Sequence, residues 1–204
     1  MDRKQHWEQV YETKSPDEVS WFQQRPELSL RLIGAINVGK ADGIIDVGGG
    51  ASVLADFLLD EGYENLTVLD ISSAALARAR QRLGERAAKV KWIEVDVTTF
   101  QSPATFAVWH DRAVFHFLTV AADRAAYVRA LREALRPGGH AIIATFAADG
   151  PTRCSGFDVA RYDAPSIWAE LGVGFELQEE VREVHRTPWE TEQAFSYFRF
   201  VRKD

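Results

Sequence analysis

The chain has 204 residues, 46% of them apolar and 26% charged, which suits one α/β domain with a full core and excludes the composition of a disordered segment. Its net charge of −6, with Lys and Arg scattered among acidic residues, leaves no basic stripe for phosphates, so nucleic acid is not an expected partner. The single cysteine, Cys154, excludes an internal disulfide and a cysteine-built zinc cluster, and no run approaches the roughly 20 apolar residues of a membrane span. With no apolar leader after Met1, the expectation is a cytoplasmic chain with no metal and no membrane partner.

Residues 4–13 and 26–38 read as helices, the second opening on Pro26 and carrying Leu28, Leu32, Ile33 and Ile36 on one face. Gly43-Ile44-Ile45-Asp46-Val47 is a short apolar run closed by Gly48-Gly49-Gly50, the pattern of a strand buried on both faces. Ser52 caps a helix near 52–62 that stops at Gly62. The spacing then predicts a strand over 66–70, a helix over 74–83, a strand over 90–95 that ends at Asp96, and a strand over 106–110. A helix over 124–135 leads through Pro137-Gly138-Gly139 into a strand over 140–146, and a helix over 164–171 follows the long connection 147–163. The last two strands, 175–184 and 194–201, are joined by a segment too short for a helical crossover and are expected to pair antiparallel. The fold class expected is therefore α/β: a mostly parallel seven-stranded sheet with helices on both faces and a C-terminal antiparallel hairpin. One domain over 1–204 is expected, with an N-terminal helical cap over 1–38, a ligand-binding core over 40–147 and a substrate-side segment over 148–204.

Parallel sheets bind ligands beyond the carboxyl ends of their strands, which places Asp46 to Ala51 in the site. Glycines there let backbone N–H groups approach a ligand closely, and the following helix N-terminus adds partial positive charge. Asp70 ends the second strand about 20 residues later, where a carboxylate can hold both hydroxyls of a ribose. A dinucleotide would also fit this much. However, Val53 stands where the third glycine of G-x-G-x-x-G belongs, and Asp46 would repel a pyrophosphate while helping to hold the ammonium of a methionine moiety.

Ile45-Asp46-Val47-Gly48-Gly49-Gly50 resembles the first motif of class I S-adenosylmethionine-dependent methyltransferases, whose fold is Rossmann-like. Val68-Leu69-Asp70-Ile71-Ser72 resembles their second acidic strand end, Val95-Asp96-Val97 their adenine-binding strand end, and Leu135-Arg136-Pro137-Gly138-Gly139 their turn into strand five. The resemblance implies S-adenosylmethionine as cofactor, with Gly48 and Gly50 at the methionine part and Asp70 at the ribose, and Asp46, Gly49 and Ile71 are also expected among the cofactor-binding residues. It also implies Asp96 and Val97 at the adenine and His110 under the sulfonium. Related enzymes fold an N-terminal segment over the cofactor, which brings in Trp21 and Phe22, while Trp7 and Tyr11 are read as covering the sheet. A nicotinamide-dependent oxidoreductase and a noncatalytic nucleoside-binding module remain as alternatives.

After the fourth strand, the pair Asp111-Arg112 resembles thiopurine and related thiol methyltransferases. Elongation-factor lysine methyltransferases carry a similar Asp-Lys-Gly stretch, and Trp7-Glu8-Gln9-Val10-Tyr11 resembles that group too. Ala113 stands where both groups usually have glycine. Arg112 would favour a thiolate nucleophile, and Asp111, His116 and His110 are the candidate bases. The acceptor expected is a small molecule, a thiol or similar, with protein lysine as the alternative. The connection 147–163 is expected to act as a substrate-side lid bearing Arg153, Cys154, Ser155 and Arg161, and His185 and Trp189 to line the pocket.

Overall fold

The computed structural model describes residues 2–203, without the side chain of Pro16; Met1 and Asp204, the ends of the expected domain, lie outside the described residues. Helix α1 spans Arg3–Thr13 and α2 spans Glu27–Gly34, followed by β1 (Ile44–Val47), α3 (Leu54–Asp60), β2 (Leu66–Asp70), α4 (Ser73–Leu83) and β3 (Val90–Glu94). The second half holds β4 (Phe106–Arg112), α5 (Ala121–Ala134), β5 (Leu135–Phe146), the two-residue strands β6 (Arg153–Cys154) and β7 (Phe157–Asp158), α6 (Ala164–Leu171), β8 (Phe175–Arg186) and β9 (Glu192–Arg202). Seven strands form one sheet in the order β3-β2-β1-β4-β5-β9-β8, with β1 to β5 parallel and β9 antiparallel to both neighbours.

The two faces of the sheet follow from the period-two alternation of strand side chains. Ile44, Leu66, Val68, Val108 and Ile142 pack with Leu32 and Ile33 of α2, Leu54 and Leu58 of α3, and Leu76 of α4. The opposite face carries Ile45, Val47, Trp109 and Ile143 against Tyr127 and Leu131 of α5 and Ile167 and Leu171 of α6. Strands so covered are apolar throughout, and all four residues of β1 are buried.

Several boundaries differ from the sequence expectation. Helix α2 stops at Gly34, because glycine is a poor helix former and Ile36 turns inward to only 5% exposure. Strand β5 begins at Leu135, so the Pro137-Gly138-Gly139 turn is an excursion within its pairing with β4 instead of a loop before it. Strand β4 continues to Arg112, two residues past its expected end, because Ala144 of β5 still pairs with Arg112. That extension decides where Asp111 points.

Candidate functional site

Two adjoining cavities lie at the carboxyl ends of the parallel strands, with about 800 Å³ and 1050 Å³ of space, part of it open to solvent. Tyr11, Trp21, Gly48 and Arg112 line both. The first runs along the rim of the sheet from Val95, Asp96 and Val97 beyond β3, past Asp70 and Ile71 at the end of β2, to Phe146, Gln193 and Phe195 on β5 and β9. The second is bounded by Asp46, Gly48, Gly49, Ser52, His110, Ser29, Phe22 and Arg82.

The glycine run turns the chain sharply at the top of β1. Gly48 sits at φ +66°, its N–H donates to the Leu69 carbonyl at 2.7 Å, and a β-carbon there would run into Val114. Gly49 lies where a β-carbon would strike the Asp46 carboxylate. Gly50, expected to line the ligand, borders neither cavity; its position at φ +33° makes room for the Asp70 carboxylate behind it.

Asp70 is 5% exposed and its Oδ1 accepts from the Ser72 N–H at 2.8 Å. Burial pushes its pKa up to about 7, and the nearby Asp46 and Glu8 carboxylates add to the rise against the Ser72 hydrogen bond. Asp96 both borders the cavity and caps the turn after β3: Oδ1 accepts from the Thr98 N–H at 2.9 Å, and Oδ2 lies 3.7 Å from Arg3. In the second cavity, Asp46 and His110 are register partners on β1 and β4, and their side chains meet at 2.7 Å; the other nitrogen of His110 is 2.9 Å from Ser29 Oγ. All three groups are buried.

The N-terminal helix is part of the site, which corrects the reading of Trp7 and Tyr11 as mere cover. Arg3, Trp7 and Tyr11 repeat at four-residue spacing and line the first cavity from one face of α1. Trp7 packs edge-on against Trp21 and Phe117, with centroids 5.5 Å and 5.0 Å away. Glu8, one position round the helix, accepts from Ser72 Oγ at 2.9 Å, Ser73 N at 2.8 Å and Ala74 N at 3.0 Å. These bonds hold its carboxyl below the usual range against the opposing effect of burial, and they pin α1 to the first turn of α4.

Asp111 cannot act as a base toward a ligand in either cavity. Because β4 continues through it, alternation turns its side chain to the α5 face, where it is fully buried and accepts from Val114 N at 2.8 Å, Phe115 N at 3.1 Å and Tyr127 OH at 2.7 Å. Burial raises its pKa to about 6. Arg112 projects to the site face instead: Nε donates to Tyr197 OH at 2.8 Å and Nη1 to the Trp21 carbonyl at 3.0 Å, with the guanidinium 4.7 Å from the Phe195 ring centroid. His116 borders the first cavity but is fully buried, and its Nδ1 accepts from the Phe146 N–H at 3.2 Å. Burial, reinforced by Arg112, lowers its pKa to about 3, so it is a neutral donor and no proton acceptor at ordinary pH. The expectation of a base at either residue is therefore withdrawn.

The 147–163 segment folds as the small hairpin β6–β7, and from it Cys154 reaches the first cavity while Arg153 and Arg161 stay exposed. Ser155 is taken by His6 at 3.1 Å. His185 is occupied too, donating to the Ser20 carbonyl at 2.7 Å, and Trp189 is 55% exposed; neither borders either of these two cavities. Sequence reading missed Gln193 and Phe195, which lie in an alternating strand with no local motif to single them out.

Residues 44–139 match the family described as "Methyltransferase domain". The chain is similar to EEF1A lysine methyltransferase 2 of Danio rerio, 28% identical over 160 residues, covering 70% of this chain and 68% of that protein. It is also similar to Nodulation protein S of Sinorhizobium fredii, 32% identical over 127 residues, covering 62% of this chain and 56% of that protein. Among solved structures, the N-methyltransferase NodS of Bradyrhizobium japonicum in complex with S-adenosyl-L-homocysteine superposes with a TM-score of 0.76 at 19% identity over the whole of both chains. The chain has the Rossmann-like fold of these enzymes, and the domain match, the likeness to curated methyltransferases and the motifs at the strand ends support a class I S-adenosylmethionine-dependent methyltransferase. Among the described residues, no helix is long and apolar enough to cross a membrane.

Proposed function

We propose that the protein transfers a methyl group from S-adenosylmethionine to a small-molecule nucleophile held in the chamber between Arg112, His116, Phe195 and Gln193. The cofactor supplies an electrophilic methyl group on a sulfonium. In this reading Asp70 Oδ2 accepts from the ribose, Ile71 and Val97 flank the adenine with Asp96 beside it, and the Gly48-Gly49 turn with Asp46 receives the methionine end. Tyr11, Trp21, Gly48 and Arg112, common to both cavities, then surround the reacting carbon. The nucleophile's lone pair forms the new bond to carbon as the carbon–sulfur bond breaks and its electron pair returns to sulfur. The chain's contribution is alignment and exclusion of water.

The single observation that carries the small-acceptor reading is Arg112, a guanidinium with only 10% side-chain exposure at the junction of the two cavities. A fixed cation there lowers the pKa of a thiol and so raises its thiolate fraction, whereas it opposes an approaching lysine ammonium. Thiols are therefore the favoured acceptors, with no base drawn from Asp111 or His116. The second reading, methylation of a protein lysine, is favoured by the likeness to the Danio rerio enzyme. Methyl-labelled donor incubated with small thiols, small amines and dialysed lysate protein separates the two. Label in the small-molecule fraction, strongest with thiols, is expected; label on protein lysine alone overturns the proposal.

A further inference from the structure

We infer that this chamber selects a planar acceptor with a lactam-type edge, a carbonyl oxygen beside a ring N–H. The inference rests on the small-acceptor reading and adds what that molecule must present. Among the described residues, three buried polar atoms of residues bordering the first cavity have no hydrogen-bond partner: Nη2 of Arg112, Nε2 of His116 and Oε1 of Gln193. Buried polar groups in folded proteins are nearly always paired, so three orphans around one cavity mark a place where a ligand supplies the partners.

The chemistry of each orphan is set by its neighbours. Since Nδ1 of His116 accepts from the Phe146 N–H at 3.2 Å, the ring proton resides on Nε2, which is then a donor. The ring stays neutral, as its burial requires. Arg112 commits Nε to Tyr197 and Nη1 to Trp21, and Nη2 lies 3.8 Å from the Glu183 carboxylate, beyond hydrogen-bond distance. Gln193 contributes an acceptor. Two donors and one acceptor complement a carbonyl oxygen flanked by an N–H.

These groups converge on Phe195. The Arg112 guanidinium lies 4.7 Å from its ring centroid and the His116 ring 6.3 Å, and Gln193, two residues earlier on β9, shares its strand face. Phe146, 4.8 Å from Phe195, and Phe117, 4.5 Å from His116, complete flat apolar walls that suit a ring. Asp70 and Asp96, the acidic residues bordering the same cavity, belong to its other end on β2 and beyond β3, so a cationic acceptor gains no carboxylate here.

The test is ligand-observed NMR titration of the wild-type protein saturated with S-adenosylhomocysteine, using 2-quinolone, quinoline and 1-naphthylmethylamine as probes. We expect 2-quinolone to bind about tenfold or more tighter than either other probe. Gln193→Leu, and His116→Phe, which keeps a ring but removes both the donor and the acceptor of the Phe146 N–H, should each lower 2-quinolone affinity by about tenfold while leaving quinoline unchanged, with thermal melting of each variant to confirm folding. Wild-type protein that binds 2-quinolone and quinoline alike overturns this inference and leaves the small-acceptor reading standing. Methyl label found on protein alone overturns both.

Discussion

The Oδ2 of Asp70 stands 2.6 Å from the point where a β-carbon on Gly50 would sit. In the proposed reading Gly50 therefore acts on the cofactor through Asp70, not through direct contact, and Gly50→Ala should displace the carboxylate assigned to the ribose. The Ala75 β-carbon, 3.1 Å from the same point, closes the other way out. Loss of a charge-assisted hydrogen bond predicts a weakening of about 1.5–3 kcal/mol, roughly ten- to a hundredfold, in affinity for S-adenosylhomocysteine. Calorimetry checks this, with thermal melting of the same sample to confirm folding. Unchanged affinity would remove Asp70 from the ribose site.

Cofactor binding should depend on pH through Asp70. Hydrogen bonds from ribose hydroxyls favour the ionised carboxylate, so its pKa falls from about 7 on binding and a proton is released below that pH. Affinity for S-adenosylhomocysteine is expected to rise from pH 5.5 to about 7 and then level off. In the free protein the sign is opposite for stability: a folded pKa above the ordinary 3.8 means that Asp70 subtracts stability as pH rises from about 4 to about 7. Titrations in buffers of different ionisation enthalpy count the protons, and a pH-independent affinity contradicts the assignment.

Asp111 is a structural anchor. Asp111→Ala leaves the buried Phe115 N–H, the half-buried Val114 N–H and the buried Tyr127 hydroxyl without their acceptor and should destabilise the fold by about 3 kcal/mol or more. Asp111→Asn keeps one acceptor and should retain turnover with a milder loss of melting temperature. Normal stability and cofactor affinity with no turnover in Asp111→Asn would restore a catalytic role.

The first half of the molecule was legible in the sequence because its strands are short apolar runs closed by glycine or aspartate, and three of the four motifs fall at their carboxyl ends. The acceptor side was less so. An expected end of β4 at His110 left Asp111 and Arg112 as loop residues free to face the site, whereas two more ladder residues put them on opposite faces. Ala113, which departs from the glycine usual in the resembled families, sits at φ +72°, so the local geometry that favours glycine is kept without it. Trp7 and Tyr11 looked like cover because the low amphipathicity of α1 does not reveal that Glu8 anchors the helix from a distance of more than sixty residues. Gln193 became visible only through the pairing of β9 with β5.

Glu8→Ala should loosen α1. Removing the acceptor for Ser73 N and Ala74 N at the start of α4 costs about 1 kcal/mol, as for loss of a helix cap. Limited proteolysis within residues 3–13 is expected to speed up, with partial protection by S-adenosylhomocysteine. Wild-type cleavage rates in Glu8→Ala would show that the aromatic face of the helix holds it unaided.

The most direct test is calorimetric titration of the wild-type protein and Asp70→Ala with S-adenosylhomocysteine, with NAD as the control ligand. One S-adenosylhomocysteine should bind per chain, with affinity reduced about tenfold or more in a folded Asp70→Ala protein and no comparable binding of NAD. NAD binding as tight as S-adenosylhomocysteine, or an Asp70→Ala protein with wild-type affinity, would contradict the cofactor assignment.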